Sequence, residues 1–60
     1  MKYNLYKIKA GLQWFLIAAE DEQSARIMCA HSNRMPVFQI THCELIGITN
    51  TPRIELLREK

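Results

Sequence analysis

Trp14-Phe15-Leu16-Ile17-Ala18-Ala19 is an unbroken apolar run, and it starts just after Ala10-Gly11-Leu12-Gln13, a stretch with the composition of a tight turn. On the other side of that turn Tyr6 and Ile8 alternate with Lys7 and Lys9, the period of two expected of a strand. The two segments therefore read as a β-hairpin closed by Gly11 and Leu12, with Gly11 supplying the positive φ of a type II′ turn. Loop length then dictates register: Ala10 faces Gln13, Ile8 faces Phe15 and Tyr6 faces Ile17 on one side of the sheet. The other side pairs Lys9 with Trp14, Lys7 with Leu16 and Leu5 with Ala18.

This hairpin restricts the fold because its second strand is apolar on both faces. A small antiparallel sheet normally has one face against a helix and one in water. A single helix can shield one side only, which leaves Tyr3, Leu5, Trp14 and Leu16 together on the other side, with Lys7 and Lys9 among them. An apolar patch of that kind marks an interface. Length sharpens the point, since 60 residues bury only about 60% of the surface the unfolded chain exposes, and a domain of that size gains from further burial. We expect this face to be an interaction surface, closed by a second copy of the chain or by another protein.

Asp21 is placed to cap a helix over 22–32, its carboxylate accepting from the free amides of the first turn while Glu22 complements the dipole. Ala25, Met28, Cys29 and Ser32 then share a face, and Gln23 and Arg26 fall outward. Asn33 is the expected left-handed terminator, and Pro36 bars continuation. Val37 to Thr49 is rich in branched and aromatic residues and reads as one long or bulged strand, with Gly47 marking a bend or a close approach of backbone. Beyond Asn50-Thr51-Pro52, Arg53-Ile54-Glu55-Leu56 alternates like a fourth strand. Thr51 and Pro52 could equally open a short helix through Leu57 and Arg58, and the strand is the favoured reading. The expected fold is thus a single α+β domain over residues 1–60: a small antiparallel sheet, β-β-α-β with a possible fourth strand, and one helix on one face. The expected core is Tyr6, Ile8, Phe15, Ile17, Ala25, Met28, Cys29 and Ile40.

The hairpin, the run Ala-Glu-Asp-Glu-Gln-Ser-Ala-Arg at 19–26 and the strand Cys-Glu-Leu-Ile-Gly-Ile-Thr at 43–49 together resemble, in layout, small orphan proteins of bacteriophages and other mobile elements. Some of those act by binding and blocking a host factor. The resemblance implies a partner of that kind and assigns no role to any residue.

Chemistry-bearing residues are few. Cys29, His31, His42 and Cys43 are the soft metal ligands of the chain, but neighbours on a strand point to opposite faces, and residues two apart on a helix lie about 200° apart. Neither pair chelates. We expect no metal and no cofactor, with the cysteines serving as small apolar residues; a Cys29–Cys43 disulfide would need a helix and strand in close approach under oxidising conditions. Strand geometry also separates Cys43 from His42 as a nucleophile and base. Glu20, Asp21 and Glu22 are explained by capping, and the isolated Gly11 and Gly47 form no phosphate loop. A non-enzyme is expected.

The net charge of +2, with no basic block, excludes wholesale attraction to phosphate. Aromatics with lysines on a sheet face can still bind single strands by stacking, so a nucleic-acid-binding regulator is the alternative to a protein-interaction module. The six-residue apolar run is far short of the ~20 needed to span a bilayer, no membrane partner is expected, and the N-terminus shows no export signal. A cytoplasmic setting with reduced thiols is the expectation.

Overall fold

The computed structural model describes residues 2–57. Strands β1 (Tyr3–Ala10) and β2 (Gln13–Ala19) form the hairpin, followed by helix α1 (Glu22–Ser32), a 3-10 turn (Val37–Gln39), β3 (Ile40–Thr49) and β4 (Ile54–Leu57). The four strands make one antiparallel sheet in the order β3-β1-β2-β4. The architecture is the expected α+β one.

The hairpin register is the one dictated by the loop: Ile8 lies opposite Phe15, Tyr6 opposite Ile17, Lys9 opposite Trp14 and Lys7 opposite Leu16. Gly11 has φ +64, while Leu12 stays out of the positive region, the signature of a type II′ turn. One face of the sheet carries Tyr6, Ile8, Ala10, Phe15, Ile17 and Ala19, which with Ile40 are buried against Ala25, Cys29 and Ala30 of the helix. Met28, expected in the core, is only partly buried at its margin.

Asp21 caps α1 as its position implies, its Oδ1 accepting from the Ser24 amide at 2.7 Å. The other end differs from expectation. Asn33 has φ −101, and the left-handed residue is Arg34 at φ 54. The reason is in the hydrogen bonds: Met35 N–H reaches the Ala30 carbonyl at 3.0 Å and Arg34 N–H reaches that of His31 at 3.2 Å, the paired bonds of a Schellman motif whose C′ position is residue 34. Asn33 instead contributes its side chain, donating to the Cys29 carbonyl at 2.8 Å. Arg26 is also less outward than expected; it pairs with Glu22 at 3.1 Å and its guanidinium lies beside Cys43.

The third strand is shorter than its composition implies. Residues 37–39 form a 3-10 turn rather than strand, because Pro36 sets the entry and the Gln39 amide bonds back to the Pro36 carbonyl at 3.1 Å. Two register shifts against β1 follow, leaving Thr41 and Ile46 as extra residues. Gly47 lies opposite Leu5 and next to the extra residue Ile46, so it flanks the irregularity, but an added Cβ would meet nothing within 4 Å and it marks no close approach. The last segment is a strand, Ile54–Leu57, paired with β2. Arg58, the proposed end of the alternative helix, lies outside the described residues.

Candidate functional site

Side chains alternate along strands, so the residues between those of the core share the face away from α1. Tyr3, Leu5, Lys7 and Lys9 of β1 and Trp14 and Leu16 of β2 are all on it, as the hairpin register requires. The structure adds neighbours that lay beyond reach of the local pattern. One row across the sheet reads His42, Lys9, Trp14, Leu57; the next reads Glu44, Lys7, Leu16, Glu55.

Trp14 is the centre of this face. The Lys7 ammonium sits 4.8 Å from the ring centroid and that of Lys9 5.8 Å, while the His42 ring meets the indole edge-on at 5.2 Å and 68°. Each cation over the indole is worth about 0.5–1 kcal/mol at a site of this exposure. All six residues of the expected patch are half-buried rather than open, because lysine stems, Leu57 and the patch residues cover one another. His42 Nε2 is also 3.1 Å from Glu44 Oε1 on the same strand.

Exposed apolar side chains also lie elsewhere, and local sequence reasoning missed them. Leu45 and Ile48 of β3 and Ile54 and Leu56 of β4 are all exposed, yet each lies opposite a residue of the helix-covered face. The cause is width. A helix is about 10 Å across and strands are spaced about 4.8 Å apart, so one helix covers the two central strands and the near part of β3, where Ile40 is buried, and leaves the rest of the edge strands bare. Phe38, in the 3-10 turn, is 81% exposed.

Both cysteines are free thiols. Burial pushes the Cys29 thiol up, against an opposing hydrogen bond from Asn33. Cys43 is raised by burial first and by the Glu22 carboxylate second, with Arg26 pulling the other way. A raised thiol holds its proton and is a poor nucleophile or ligand. Among the described residues no three His, Cys, Asp or Glu side chains gather as a metal site, and no helix is long and apolar enough to cross a membrane. The chain matches no protein-family model, and no similar curated protein or solved structure was found.

Proposed function

We propose that the protein is a small non-enzymatic interaction module that docks another protein on the open face of its sheet, through Tyr3, Leu5, Lys7, Lys9, Trp14 and Leu16. The observation that carries this reading is the charge balance around Trp14. Lys7 and Lys9 already lie over the indole, the row of Lys7 also holds Glu44 and Glu55, and Arg53 pairs with Glu55 at 3.7 Å, so the cations of this face are interleaved with carboxylates. A face built to hold a phosphate backbone would leave its cations unopposed and an aromatic ring open for stacking. An aromatic and aliphatic centre ringed by mixed charge is instead the composition of a protein-binding surface. The layout resemblance makes a host protein, bound and modulated in the cytoplasm, the partner of this proposal.

Salt separates the two classes. The protein immobilised on a column captures a partner, which is identified, purified and titrated against the protein over a range of ionic strength, alongside a single-stranded oligonucleotide. Binding of the protein partner should hold as salt rises and be lost in Leu16→Glu. Oligonucleotide binding that falls steeply with salt would replace this reading with the nucleic-acid one.

A further inference from the structure

We infer that two copies of this chain pair antiparallel through the outer edge of β3, about a two-fold axis at Cys43. This goes beyond the proposed docking face and does not depend on it.

The sheet has two free edges, and they are protected unequally. β4, four residues long among the described residues, follows Pro52 and carries a charge at Glu55, with Arg53 just before it. β3 is ten residues long, contains no Lys, Arg or Pro, and has Glu44 as its one acid. Short length, proline and charge are the devices that keep an edge from pairing, and β3 lacks most of them. What it has is its two bulges, and these leave His42–Leu45 as a regular stretch between them.

Polar groups select the register within that stretch. Centred on Cys43, the pairing sets His42 of each copy beside Glu44 of the other, donor against acceptor, on the open face where the two residues already bond within one chain at 3.1 Å. Centred on Glu44, it would set carboxylate against carboxylate, which is unfavourable for residues directly opposite. The ends of the edge also match. Phe38, 81% exposed, lies just ahead of β3 and Ile48, 69% exposed, lies near its far end. Antiparallel pairing brings each toward its complement in the other copy.

The two-fold axis of such a pair is normal to the sheet, so both helices lie on one face with Leu45 and Ile48 of both copies in the gap between them. The width mismatch that leaves these side chains bare in one chain is thereby closed by the second. On the opposite face two Trp14 clusters lie side by side, leaving the proposed docking surface open and doubled.

Sedimentation over micromolar to millimolar protein should show a monomer–dimer equilibrium. Phe38→Lys with Ile48→Lys, both at exposed positions and expected to keep the wild-type circular dichroism spectrum, should weaken the dimer by more than about tenfold. Leu16→Glu should leave it intact. Glu44→Lys, which removes the acceptor beside the His42 of the other copy, should weaken it too. A monomer at every concentration, or a dimer indifferent to these lysine substitutions, would overturn the inference.

Discussion

The two faces of this sheet are made from the same two central strands, yet they are held in different ways. Under the helix, Ile8 and Ile17 are fully buried and Phe15 is 7% exposed, in a layer with no buried polar or charged residue. On the other side, Trp14 is half-buried beneath lysine stems and ringed by His42 and Leu57. The first face is stabilised by removal from water; the second by contacts that water and salt can reach. The lesson is that apolar content alone does not locate a core: strand β2 is equally apolar on both sides, and what decides is where the helix lies.

The sharpest test of that difference is to remove the same kind of group from each face. Phe15→Ala should cost about 3–5 kcal/mol, comparable to the whole stability of a domain of this size, and leave a largely unfolded chain by far-UV circular dichroism. Trp14→Ala, in urea denaturation followed by the same signal, should cost only about 1–2 kcal/mol, from partial area and the loss of its cation contacts. Equal losses would mean that the open face is as much a core as the covered one.

Smaller effects come from the ends of the helix, which tune the cover without touching either face. Arg34 carries a side chain where a left-handed conformation favours glycine. Arg34→Gly should therefore stabilise by up to about 1 kcal/mol in the same denaturation experiment, and any loss would show that the Arg34 side chain contributes a contact of its own.

Asp21 gives the smallest effect. Its pKa is lowered, first by the hydrogen bond from the Ser24 backbone amide and then by one from the Ser24 side chain. A carboxylate with a depressed folded pKa contributes stability that is present above its unfolded value, about 3.9, and is lost as pH falls through the folded one. Thermal melts between neutral pH and acid should thus show wild type losing stability faster below about pH 4 than Asp21→Asn, which keeps a capping oxygen without the charge. Parallel curves would remove Asp21 from the account of acid sensitivity.

The hairpin was legible to the residue, because a two-residue loop with glycine first leaves one register and alternation then sorts Tyr6, Ile8, Phe15 and Ile17 from Lys7, Lys9, Trp14 and Leu16. The helix was equally legible from its cap at Asp21 and the stop before Pro36. Among the features that escaped, three have clear physical causes. The left-handed residue moved from Asn33 to Arg34, because the closing bonds are counted from Ala30 and His31 and not chosen by residue preference. The start of β3 moved to Ile40, because Val37 and Phe38 have strand propensity but follow Pro36 into a 3-10 turn. The sides taken by the last strand were not fixed by its alternation: Leu57 lies opposite Trp14 on the open face, whereas Ile54 lies opposite Ile17 on the helix side.

By itself, then, the sequence determined what local geometry governs: turn type, hairpin register, helix limits and the grouping of the six open-face residues. Those depend on φ, on hydrogen bonds within a few residues and on the two-residue period. Tertiary structure alone decided that β3 and β4 flank the hairpin on opposite sides, that His42 and Leu57 complete the setting of Trp14, and that the helix is too narrow to cover the edges. Strand order and coverage are settled by packing between segments far apart in the chain, where no local period or propensity carries the information.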